Sequence, residues 1–137
     1  MIAVPDLKDK SILYIEDDYV NYLYFKDLLL ATHINLRRAI NLKQALHILT
    51  VSSDINLIAL SLTLTDNINN VVLEYIRAKY PYLPLILINS TNIDLTNINT
   101  LKSRYDTCIN LHTDSSHLIE AIQEMLSFRY YPNDLKY

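Results

Sequence analysis

Three short stretches constrain this chain more than anything else in it. SILYI at Ser11–Ile15, LIALS at Leu57–Ser61 and LILIN at Leu85–Asn89 are apolar with almost no alternation. A strand with one face in water alternates, whereas a strand buried on both faces does not. Strands of the second kind belong to a parallel sheet covered by helices. The segments between them supply those helices. Residues 19–31 carry Val20, Tyr24 and Leu28 at helical spacing, with Leu23 beside them. Leu42, Ala45, Leu46 and Leu49 fall at i, i+3, i+4 and i+7, the pattern of an amphipathic helix. Residues 70–80 read as a helix through Val72 and Ile76, stopped by Pro81. Ile93, Leu95, Ile98 and Leu101 suggest a ragged helix over 91–101 in a stretch poor in helix formers, and residues 115–128 read as a final helix with Leu118, Ile122 and Met125 on one face. NLRRA at Asn35–Ala39, short and polar, suits the sheet's edge, and TCINL at 107–111 makes a fifth strand.

The order is (βα)5. Right-handed crossovers make the doubly wound, flavodoxin-like parallel sheet of five strands the natural solution. With 137 residues the chain has enough length for one domain and one sizeable core, which we place at about 10–127, with 128–137 as a C-terminal extension. In such sheets a site forms where the strands end, at the topological switch point. Here those ends carry Glu16, Asp17 and Asp18, then Ser61, Asn89 with Ser90, and Leu111 with His112.

Composition removes several classes of function. The net charge of −3 and the single basic pair Arg37-Arg38, read as a solvated strand end or loop, argue against a nucleic-acid surface. No apolar run is long enough to span a bilayer, and the N-terminus has no signal-peptide pattern. With one cysteine, Cys108, there is neither an internal disulfide nor a cysteine-rich zinc site, and a cytoplasmic location is expected. Cys108 itself reads as a small buried hydrophobe. His33, His47, His112 and His117 lack compact metal-ligand spacing. The chain contains no glycine, which excludes G-x-G-x-x-G and Walker-type phosphate loops. Its thirteen asparagines are expected to supply the positive φ that turns and helix ends need.

The acidic run Glu16-Asp17-Asp18 has two readings. Hard carboxylate oxygens at a switch point suit magnesium. The same residues can cap the following helix and favour its positive end, and spacing alone favours the cap. Ser61 invites a reading as a nucleophile, but a nucleophile elbow needs G-x-S-x-G and the surroundings here are A-L-S-L-T. No enzymatic activity is expected.

Motifs in order along the chain point further. ILYIEDD followed by VNYLYFKDLL resembles the opening of the receiver domain of two-component response regulators. AINLKQAL at 39–46 resembles that family's A-x-N-G-x-x-A-L, with Leu42 where glycine is usual. NLIALS at 56–61 resembles D-L-I-L-L-D, PLILINS at 84–90 resembles P-V-I-x-L-T-A, and CINLHT at 108–113 resembles Y-L-x-K-P-F. The resemblance covers about residues 10–127.

The resemblance implies a magnesium-dependent phosphoryl switch, and position by position most of its chemistry is missing. The acidic metal pair falls on Glu16 and Asp17, and both remain. The phosphorylated aspartate falls on Ser61, the switch Thr/Ser on Asn89, the switch aromatic on Cys108, and the lysine and its following proline on Leu111 and His112. The usual proline after the third strand falls on Thr65, and a nearby glycine on Asn69. A carboxylate can attack a phosphoryl donor, whereas a serine hydroxyl needs a base. Leu111 cannot neutralise a phosphoryl charge. The reading is a pseudo-receiver in two-component, phosphorelay-type signalling that works through protein–protein contact without aspartyl phosphorylation. It needs no cofactor, with at most weak magnesium at Glu16 and Asp17. Partners of the implied class are a histidine kinase, another regulator or a second copy, with no nucleic acid and no membrane. The alternative is an atypical active regulator that accepts phosphate at a non-standard residue, Ser61 itself or Asp66. By resemblance, the face made by the last two helices and the strand between them is the interface, with Arg104, Tyr105, His117, Tyr130 and Tyr131 as its residues.

Overall fold

The computed structural model describes residues 4–64, 71–90 and 106–127. Five strands, β1 (Ser11–Ile15), β2 (Asn35–Ala39), β3 (Leu57–Ser61), β4 (Leu85–Asn89) and β5 (Asp106–Asn110), pair in parallel in the order β2-β1-β3-β4-β5. This is the flavodoxin-like order expected from the alternation of strands and helices. Every residue of β1, β3 and β4 is buried, while β2 at the edge alternates between exposed and half-buried before Ala39. The helix suggested over 91–101 and the extension at 128–137 lie outside the described residues.

Alternate strand residues feed two core layers. Ile12, Tyr14, Leu57, Ala59, Ile86 and Ile88 face one side, where α1 (Tyr19–Leu29) and α4 (Leu118–Leu126) pack on them and on each other. Leu13, Ile15, Ile58, Leu60, Leu85 and Leu87 face the other, under α2 (Leu42–Val51) and α3 (Val71–Lys79). The helix expected at 115–128 begins as a 3-10 turn, Ser115–His117, before α4.

The face of α1 differs from the sequence reading. Phe25 and Leu29 are the residues that enter the core, with Tyr22 and Leu28 half-buried beside them. Val20, at 73% exposed, and Leu23 and Tyr24 point outward. Apolar residues occupy every side of this helix, so their spacing could not say which stripe was the inner one.

Asparagine also has another use than expected. Among the described residues the one positive φ belongs to His33, at 60°, where the 3-10 turn Leu30–Thr32 closes after α1. The asparagines act through their side chains. Asn41 Oδ1 caps α2 by accepting from the Gln44 N–H at 2.8 Å. Asn56 Oδ1 accepts from the Ser11 N–H at 2.8 Å, extending the β1–β3 contact by one bond. Asn110 Oδ1 accepts from His112 and Thr113 N–H groups, each at 3.1 Å, and closes the turn after β5.

Candidate functional site

The strand ends bring together Glu16, Asp17, Ser61, Asn89 and Leu111, as the switch-point argument requires. Glu16 follows β1 directly and is wholly buried. Tyr14, two residues earlier on the same strand face, donates its phenol hydrogen to Glu16 Oε1 at 3.1 Å. The Asp18 N–H approaches Oε2 at 3.4 Å, and the Ser61 side chain hydrogen-bonds the same carboxyl group. From Ser61 the contacts continue outward. Its Oγ lies 3.1 Å from Thr63 Oγ1, which lies 3.4 Å from Ser90 Oγ. A chain of polar groups therefore runs Tyr14–Glu16–Ser61–Thr63–Ser90 across the ends of β1, β3 and β4.

Ionisation within this chain is set by burial. Desolvation pushes the Glu16 carboxyl above its ordinary range; the bonds from Ser61, Asp18 and Tyr14 pull it back, and the Asp17 charge pushes it up again. Burial, then the Glu16 charge, holds the Tyr14 phenol far above its usual range, so Tyr14 stays a donor. A carboxyl whose pKa is higher in the folded state stabilises most at low pH and loses that contribution as pH rises through the folded value. Glu16→Gln removes the titration while keeping an acceptor for Tyr14. Thermal melts from about pH 4 upward should therefore fall less with rising pH in Glu16→Gln than in the parent; parallel curves would refute this account of Glu16.

Ser61, Asn89, Leu111, His112 and Cys108 occupy the other positions that the resemblance singles out. Ser61 is wholly buried at the acceptor position. Asn89 is buried, and its carbonyl accepts from the Leu111 N–H at 2.8 Å. Leu111, at the lysine position, is wholly buried in the layer that holds Tyr14, Ile88, Ile109 and Leu118. His112 is exposed, with its ring 4.8 Å from that of Tyr24. Cys108 is half-buried at the margin of the opposite layer, not inside it as the sequence suggested, because β5 is an edge strand. Burial, helped by the Asp114 carboxylate, pushes its thiol up to about 11.

Two residues at the site were missed in the sequence. Tyr14 was read only as one apolar residue in a strand, although its i, i+2 spacing from Glu16 put both on one face. Arg38 was read as solvated. It is half-buried, its Nε donates to the Glu16 carbonyl at 3.0 Å, and its guanidinium lies 5.3 Å and 5.0 Å from the Tyr19 and Tyr22 ring centroids. Arg37 behaves as expected, exposed and bonded to Ser52 Oγ at 2.6 Å.

The donor set does not fit magnesium well. That ion wants a nearly octahedral shell of oxygens and keeps several waters. Glu16 is sealed from solvent with its oxygens already accepting protein hydrogen bonds, and a hydroxyl stands where a third carboxylate would be. Among the described residues no three His, Cys, Asp or Glu side chains are grouped to hold an ion. The cap reading of the acidic run is borne out at Asp18. Asp18 caps α1, accepting from Val20 and Asn21 N–H groups at 2.8 and 3.2 Å, while Glu16 anchors the polar chain.

Of the expected interface residues, His117 is exposed and 3.8 Å from Glu120. Arg104, Tyr105, Tyr130 and Tyr131 lie outside the described residues, as do Thr65, Asp66 and Asn69. No described helix is long and apolar enough to cross a membrane.

No family model and no curated protein matches the chain. Solved structures do. A two-component response regulator from Clostridium difficile superposes with a TM-score of 0.71 at 23% identity, covering 85% of this chain and 95% of that one. The signal receiver domain of a signal transduction histidine kinase from Syntrophus aciditrophicus gives 0.72 at 17% identity, covering 93% and 99%. NtrX from Brucella abortus gives 0.69 at 20% identity; 85% of this chain is covered, and it spans only 26% of that longer protein. At these identities the likeness is one of architecture, and in architecture the chain has the receiver-domain fold of two-component response regulators.

Proposed function

We propose that this protein is a pseudo-receiver: a receiver-fold module in two-component signalling that acts by binding other proteins, without aspartyl phosphorylation, catalysis or a required metal. One observation carries the reading. The acceptor position is a buried serine tied to Glu16, and the position of the charge-pairing lysine is a leucine sunk in the core. A phosphoryl group placed there would meet a buried carboxyl, and a leucine where the resemblance expects the pairing cation. Candidate partners are a histidine kinase, another regulator or a second copy of the chain.

The test is exposure to acetyl phosphate, to a phosphorylated histidine kinase and to beryllofluoride, each with magnesium. The expected result is an unchanged intact mass and an unchanged amide NMR spectrum. A stoichiometric phosphoryl adduct or a cooperative spectral shift would overturn the proposal. Peptide mapping of such an adduct to Ser61 or Asp66 would establish an atypical active regulator instead.

A further inference from the structure

A stripe of exposed apolar side chains runs along the outside of α1 and onto Leu30, the first residue of the 3-10 turn that follows it. Val20 is 73% exposed, Leu30 65%, Leu23 41% and Tyr24 37%. Leu23, Tyr24, Lys26, Asp27 and Leu30 line a groove of about 400 Å³ along the helix. Its middle carries the only two charges of α1, Lys26 and Asp27, adjacent and both exposed. Among the described residues neither takes part in a salt bridge.

This pattern is self-complementary. In an antiparallel pairing of two copies of α1 about a two-fold axis between residues 26 and 27, residue i of one copy meets residue 53 − i of the other. Leu23 then faces Leu30 of the second copy, and Lys26 faces Asp27, each contact occurring twice, as a two-fold interface requires. An unrelated partner would have no reason to find opposite charges placed symmetrically between two leucines. We propose that a second copy of this chain docks on α1, giving an antiparallel homodimer. This deepens the interaction-module reading by naming its partner, and it places the contact away from the face expected from resemblance. One helix face is smaller than the ~800 Å² per partner of a standard interface, so the dimer is a weak one.

Sedimentation equilibrium of the full chain from about 10 μM to 1 mM tests it, spanning the affinities expected of small interfaces. The expected result is a monomer–dimer equilibrium that Leu23→Glu abolishes. Lys26→Glu and Asp27→Lys each place like charges opposite one another twice, and each should weaken dimerisation at least tenfold. An equimolar mixture of those two variants, or the double charge swap, should restore it, because every facing pair is again opposite. These are exposed positions, so circular dichroism should show all variants folded. A monomer throughout the range overturns the proposal, as does a dimer indifferent to these substitutions. The outcomes are separable from the phosphorylation test: a phosphoryl adduct on a protein that dimerises through α1 removes only the pseudo-receiver reading, and a monomer without an adduct removes only this one.

Discussion

Ser61→Asp will lower stability at neutral pH by on the order of 3 kcal/mol. Part of the loss will be recovered at mildly acid pH or with millimolar magnesium. The substitution restores the residue that the receiver resemblance expects, yet it places a second carboxyl beside Glu16, where neither reaches water. Two carboxyl groups in one buried site cannot both ionise cheaply, so at least one pKa rises further. The linkage then runs one way: protonation favours the folded state, and stability falls as pH climbs. A divalent cation relieves the same repulsion, so magnesium should raise the melting temperature of the variant more than that of the parent. It should not restore switching, because Asn89, Cys108 and Leu111 are unchanged. Urea melts at several pH values, with and without magnesium, measure the first part, and NMR with acetyl phosphate the second. A variant as stable as its parent at every pH, or one that becomes phosphorylated and changes conformation, would show that the site has kept more of its chemistry than the proposed reading allows.

Leu111→Lys will cost about 3–5 kcal/mol, a large share of the 5–15 kcal/mol typical of a domain. Leu111 has no solvent exposure and packs in the layer of Tyr14, Ile88, Ile109 and Leu118. A lysine there forfeits the burial of the leucine and must either shed its charge or thread toward Glu16, whose oxygens already serve Tyr14, Asp18 and Ser61. Leu111→Met, which conserves volume and polarity, should cost less than about 1.5 kcal/mol. Chemical denaturation of the two variants beside the parent separates charge burial from simple repacking. If the lysine variant keeps the parent's stability, its side chain has a path into the polar chain, and the leucine is not the barrier we take it to be.

The parts of the molecule that could be read in advance share a physical reason. β1, β2, β3 and β4 begin and end where the sequence placed them, because each apolar or edge-like run is bounded by residues that cannot continue it. β5 is shifted by one residue, to Asp106–Asn110, since its polar flanks mark no sharp boundary. The inner face of α1 was illegible because tyrosine, leucine and phenylalanine surround the whole helix and no polar stripe marks the outside. At the strand ends, the receiver resemblance singled out Glu16, Ser61, Asn89 and Leu111, which the structure sets at the ends of β1, β3, β4 and β5. It could not find the roles of Tyr14 and Arg38. Tyr14 hides among the apolar residues of its strand, and Arg38 acts through a backbone carbonyl, which leaves no trace in residue type.

That His33 is the one left-handed residue among those described bears also on the chain before it folds. A backbone with no glycine explores fewer conformations when unfolded, so each residue surrenders less entropy on entering the native state. At a compatible site the gain from replacing one glycine is about 0.4–1 kcal/mol, and a chain of average composition and this length would hold roughly ten. Part of this protein's stability therefore resides in no contact of the folded molecule: it comes from the narrowness of the ensemble that competes with it.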